Sequence, residues 1–129
     1  MTMKKKRRIR ITIRPYAAIM QEVIDTCENI EKGLPVTPHD TEVNFADAAT
    51  MLSTLSEKRM ELLVFLHQHG AINIRQLAKG LERDYSNVHT DVKLLLRLGL
   101  LAHNKEKLVL VPWDELAIEL PLSGLKQTV

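Results

Sequence analysis

Cysteine is nearly missing from this chain. Cys27 stands alone among 129 residues, so neither an internal disulfide nor a cysteine-built zinc cluster can form. A reducing cytoplasm is the setting that fits. Long apolar runs are missing too. Nothing approaches the roughly 20 residues of a membrane span, so an integral membrane protein is not expected. The basic start, residues 1–14, is followed by no uninterrupted apolar stretch, because Arg10 and Arg14 break it. That is not the pattern of a secretory signal. No Gly-rich phosphate loop, nucleophile motif or catalytic carboxylate pair appears, so an enzyme is not expected. Histidines do not group: His67 and His69 are two apart and cannot share a helix face. His39, His89 and His103 complete no metal-ligand spacing, so a metal site is not expected.

What is present is a normal supply of core-forming residues, 45% hydrophobic, enough for one modest core. The net charge of +2 conceals a strong asymmetry. Residues 1–14 carry Lys4, Lys5, Lys6, Arg7, Arg8, Arg10 and Arg14 and no acid, a charge of +7. Residues 15–50 carry −6, and residues 51–129 carry +1. A basic arm ahead of an acidic segment points to a polyanionic partner, an intramolecular charge contact, or both. A solubilising terminus would look the same.

Strict alternation over Arg8–Arg14 predicts a half-buried strand with Ile9, Ile11 and Ile13 on one face. Pro15 stops it. Met20, Val23, Ile24, Cys27 and Ile30 then form one helical stripe ending at Gly33, which makes Cys27 an expected core thiol. Two prolines and Gly33 mark a connector. A short helix over Phe45–Leu55 is expected to turn Ala48, Ala49, Leu52 and Leu55 inward. Residues 116–122 alternate, with Leu116, Ile118, Leu120 and Leu122 on one face. These and the isoleucines of the first strand both need covering, by pairing within one chain or by exchange across two, with the 20–30 stripe as the cover.

Residues 54–111 are the most informative. Thr54 or Ser56 caps a helix carrying Met60, Leu63, Val64 and His67, stopped by Gly70. Ala71-Ile72 allows a very short strand. Asn73 caps a second, short helix with Ile74, Leu77, Ala78 and Leu81 inward. After a turn at Glu82-Arg83, Asp84 or Ser86 caps a third helix running to Gly99. Two apolar runs around Asn104–Lys107 make a hairpin. Helix, short strand, short helix, turn, longer helix, hairpin is the order of a winged helix-turn-helix.

On a wheel of about 100° per residue, Val88, Val92, Leu95 and Gly99 share the buried side of the third helix. Ser86, His89, Thr90, Lys93 and Arg97 lie opposite, all donors or cations. Donors suit base edges, cations suit phosphates, and no carboxylate faces the polyanion. Asn87 on the flank could read adenine, and Tyr85 could reach a phosphate. Lys105 and Lys107 on the hairpin tip suit phosphate contact. Asp91, beside the buried face, is expected to be structural, pairing with Arg75 or Arg83.

The stretches Ser56–Leu63, Leu77-Ala78-Lys79, Arg83–Val92, Gly99-Leu100-Leu101 and Val111–Leu116 resemble a family of short archaeal and bacterial transcriptional regulators with a distantly MarR-like winged helix. Some members are encoded beside a small toxin and look like its antitoxin. The resemblance is most specific over residues 54–122. It implies DNA binding through the third helix and the wing, and no enzyme or cofactor. The Lys4–Arg8 run is not a hallmark of that family, and its assignment to DNA rests on charge alone.

The expectation is therefore an α+β protein. Residues 1–33 form a basic strand–helix arm for dimerisation or partner binding, and 34–53 a connector with a short helix. Residues 54–122 form a winged helix-turn-helix DNA-binding domain, and 123–129 a tail. The expected function is a sequence-specific transcriptional regulator, acting by repression as a cytoplasmic homodimer on double-stranded DNA. An antitoxin that binds a toxin and autoregulates its operon is the first alternative, and a winged helix used for protein assembly the second.

Overall fold

The computed structural model describes residues 7–14, 16–33 and 41–122. Lys4, Lys5, Lys6 and the 123–129 tail lie outside the described residues. In chain order the elements are β1 (Arg8–Ile13), α1 (Tyr16–Glu31), β2 (Glu42–Phe45), α2 (Ala48–Thr54) and α3 (Glu57–His69), then α4 (Ile74–Leu81), α5 (Tyr85–Leu98), β3 (Ala102–His103), β4 (Val109–Leu110) and β5 (Glu115–Ile118). The architecture is mixed α+β.

The alternating N-terminal segment is the middle of a sheet. β1 lies between β2 and β5, parallel to both. The strand expected in the 1–33 arm thus has one neighbour from the 34–53 segment and one from the end of the 54–122 segment. Ile11 stands opposite Val43 and Ile118, Ile9 opposite Leu116, and Ile13 opposite Phe45. Facing strands share faces at matched positions, so Ile9, Ile11, Ile13, Val43 and Phe45 bury one apolar side together. Met51 of α2, Leu62, Leu63 and Leu66 of α3, Leu77 of α4 and Val88, Val92 and Leu95 of α5 join them in one core.

The other side of the sheet is a ladder of arginines and carboxylates. Arg10 reaches Glu119 at 2.7 Å and Glu42 at 3.7 Å, Arg14 reaches Glu42 at 3.0 Å, and Arg8 lies 3.8 Å from Glu115. Arg14 also pairs with Glu22 of α1. Of the three explanations for the basic start, an intramolecular charge contact is what the structure shows for Arg8, Arg10 and Arg14. The Arg10 guanidinium holds the Glu119 carboxyl below its ordinary range.

Several packing expectations need correction. The α1 stripe is not core: Met20, Val23, Ile24 and Ile30 are 40–59% exposed, and Cys27 is exposed. Periodicity reveals that a helix has an apolar side, not what covers it. Here Met51 of α2 and Leu62, Leu63 and Leu66 of α3 share the core with the buried face of the sheet, and the Arg14–Glu22 pair turns the opposite side of α1 towards the arginine ladder. In α2, Asp47 is the cap, its Oδ1 accepting from the Thr50 N–H at 2.7 Å. With that start Met51 is the buried residue, while Ala49 is exposed and Leu52 is 61% exposed. In α3, Ser56 rather than Thr54 is the cap, and Leu62, Leu63 and Leu66 are buried, whereas Val64 and His67 are exposed. Leu120 and Leu122 are exposed beyond the end of β5, so only Leu116 of that alternating set packs on the core.

Candidate nucleic-acid interface

Helices α4 and α5 are joined by residues 82–84. Asn73 starts α4, its Oδ1 accepting from the Gln76 N–H at 2.8 Å, and Glu82 ends it in the left-handed conformation at φ 54°. Asp84 then starts α5, accepting from the Asn87 N–H at 3.3 Å. Gly99, at φ 83°, stops α5 at a position where a side chain would be strained. Asn73 and Asp84 each satisfy a helix-start N–H, and the N–H groups of Glu82 and Gly99 donate to last-turn carbonyls, so both ends of α4 and α5 are capped where the chain changes direction.

Val88, Val92 and Leu95 are fully buried and fix the rotation of α5 about its axis. The consequence is a solvent face that carries Ser86, Asn87, Thr90, Lys93 and Arg97, all exposed, with Tyr85 49% exposed and His89 half-buried. The Tyr85 and His89 rings stack at 5.8 Å. Thr90 donates its hydroxyl hydrogen to the Ser86 carbonyl at 3.0 Å, which occupies that hydrogen within the helix. Tyr85, Asn87, His89, Lys93 and Arg97 are the longer polar groups of this face.

Asp91 is the one acid within α5, and it points away from this face. It is 8% exposed. Arg59 Nε of α3 donates to one oxygen at 3.0 Å, and Arg83 Nη2 donates to the other at 2.8 Å. Of the two partners expected from sequence, Arg83 is used and Arg75 is not; Arg75 stands exposed on α4. Arg59 was not foreseen. It lies 32 residues upstream, beyond any local spacing rule, and it also donates to the Thr54 carbonyl at 2.9 Å. The triad ties the start of α3, the α4–α5 turn and α5 together. It also removes negative charge from the exposed side.

The hairpin β3–β4 pairs Ala102 with Leu110 and His103 with Val109. Asn104 shapes its tip, its Oδ1 accepting from the N–H groups of Glu106 at 2.9 Å and Leu108 at 3.0 Å. Lys107 takes the left-handed conformation at φ 64°, and Lys105 and Lys107 are both exposed. The short strand expected at Ala71-Ile72 is a bridge from Ile72 to Val109, which ties the hairpin to the α3–α4 connection. Trp113 closes the unit, its indole N–H donating to the Gly99 carbonyl at 2.9 Å.

Two members of the basic start are engaged elsewhere. Arg7 places its guanidinium 5.8 Å from the Trp113 ring centre, and its backbone N–H donates to Asp114. Arg8 is the first residue of β1, beside Glu115. Sequence reasoning also passed over Gly80. A Cβ there would sit 2.4 Å from Phe65 Cζ, so glycine lets α4 approach α3. Among the described residues no cluster of His, Cys, Asp or Glu could hold a metal ion. Among them, too, no helix is long and apolar enough to cross a membrane.

A family model described as HVO_A0114 matches residues 54–118, just over half of the chain. No curated protein and no solved structure matches.

Proposed function

The chain belongs to the HVO_A0114 family, and we propose that the matched segment is a winged helix-turn-helix that binds double-stranded DNA, with the whole protein acting as a transcriptional regulator, by repression. In this reading α4 and α5 are the helix-turn-helix, α5 is the recognition helix, and β3–β4 is the wing. One observation carries it. The outward face of α5 presents neutral polar groups and cations and no carboxylate, because its one acid is turned inward onto Arg59 and Arg83. A solvated helix face has no need to hide its carboxylate. A face laid against phosphates does.

The division of labour follows from chemistry. Asn87 and His89 suit base edges, and Ser86 suits either base or backbone. Thr90, its hydroxyl hydrogen held by the Ser86 carbonyl, suits a base edge through its oxygen or methyl, and Lys93, Arg97 and the Tyr85 hydroxyl suit phosphates. Lys105 and Lys107 at the wing tip would add phosphate contacts on one flank. Lys4, Lys5 and Lys6 would add sequence-independent attraction. A homodimer would present two α5 helices to two half-sites. The experiment is to recover genomic fragments bound by the protein and sequence them. A shared, two-fold-related site near a small set of promoters supports the reading. An unenriched sample refutes it. The exposed apolar side of α1 favours a second reading, protein assembly, in which α5 is only a solvated surface.

A further inference from the structure

We propose that the outward side of α1 is the contact between two copies of this chain, paired antiparallel about a two-fold axis near Asp25. This rests on the homodimer of the reading above but not on DNA binding. Met20, Val23, Ile24 and Ile30 are 40–59% exposed and Cys27 is exposed, all on one side of a 16-residue helix. Met20, Val23, Cys27 and Ile30 follow the alternating three- and four-residue spacing of a coiled-coil seam, with Ile24 beside them. Glu22, on the other side, is held by Arg14. The seam is therefore presented outward by an ion pair.

Charge decides what covers it. α1 carries Glu22, Asp25, Glu28 and Glu31 and no Lys or Arg. Nucleic acid is excluded, and so is an anionic lipid surface, since helices that lie on membranes carry basic polar faces. A second copy fits in one direction. The helix has no acid in its first turn and no base in its last, and Glu28 and Glu31 sit at the end its own dipole makes negative. Parallel pairing would gather those acids together. Antiparallel pairing sets them beside the positive end of the second helix. It layers Met20 on Ile30 of the second copy and Val23 on Cys27, brings the two Ile24 side chains near each other across the axis, and leaves Glu31, one heptad after Ile24, at the edge of the seam beside the first turn of the second helix. One surface serves both sides, as a two-fold contact requires. The seam is five residues a side, well short of the roughly 20–30 of a standard interface, so the dimer is reversible.

The test uses the full chain without DNA. Sedimentation equilibrium should show a monomer–dimer equilibrium. Ile24→Glu, at an exposed position, should raise the dimer dissociation constant at least tenfold with unchanged circular dichroism. Under a glutathione redox buffer Val23→Cys should give a covalent dimer through Cys27 of the second copy. The wild type should not, because the two Cys27 residues are offset by about a turn along the seam, beyond disulfide reach. A wild type monomeric at about 100 μM, Ile24→Glu that associates as the wild type does, or Cys27 cross-linking as readily as Val23→Cys each overturns the proposal. A monomer that still binds DNA overturns only α1 pairing. A dimer that binds none removes the reading of α5 and leaves the pairing.

Discussion

Replacing Asp91 with alanine should destabilise the fold far more than loss of a surface ion pair would. Exposed pairs contribute about 0–1 kcal/mol. Asp91 is 8% exposed and accepts from two arginines, at 3.0 and 2.8 Å. Removing one member of a buried pair costs about 3–5 kcal/mol, because its partners are left charged and unpaired. The Arg59 and Arg83 side chains retain 22% and 17% exposure, which lets water recover part of that. Arg83 Nη1 is already buried without a hydrogen-bond partner, which raises the cost of losing Nη2's acceptor as well. The balance is about 2–4 kcal/mol, or a fall in Tm of about 8–15 °C for a chain of this size. Urea denaturation with an unchanged m-value is the assay. A cycle with Arg83→Met should return a coupling of about 1.5–3 kcal/mol. A loss under about 1 kcal/mol, with coupling under about 0.5, would show that the triad is a solvated pair and that nothing compels Asp91 to face inward.

Three further outcomes are expected. Gly80→Ala should destabilise despite alanine's better helix propensity, because its Cβ meets Phe65 at 2.4 Å; in a Phe65→Ala background the sign should reverse to a gain of about 0.5–1 kcal/mol, read by thermal melts. Asp47→Ala should cost about 1 kcal/mol by loss of the α2 cap. Glu119 has its folded pKa held below the ordinary 4.5 by Arg10, so its contribution is present above that value and lost as pH falls through the folded one. Glu119→Gln should flatten the acid limb of the stability–pH curve, and an unchanged limb would show that the Arg10 contact is absent in solution.

Local signals were the legible ones. Asn73 was readable as a cap, and Ser56 and Asp84 each as one of two candidates, because a side-chain oxygen three residues before a helix N–H is a local geometry that a neighbouring Thr or Ser can offer as well. The α5 face was readable because Val88, Val92 and Leu95 repeat at helical spacing. What could not be read was which surface meets which. Arg59 reaches Asp91 across 32 residues, and β1 pairs with β5 from the far end of the chain. Gly80 matters through Phe65, an effect that no pattern in α4 displays. The stripe of α1 was correct as periodicity and wrong as burial, because an apolar side is satisfied equally by a core or by another molecule.

The central claim, that the outward face of α5 binds DNA, is tested most directly by the salt dependence of DNA affinity for the wild type and for Lys93→Ala/Arg97→Ala between about 50 and 200 mM salt. Both residues are exposed, so the variant should unfold like the wild type. Its affinity should fall across all sequences, and the slope of log affinity against log salt should shrink by about two units, one for each lost phosphate contact. An affinity and slope equal to those of the wild type would contradict the claim and leave α5 a solvated helix.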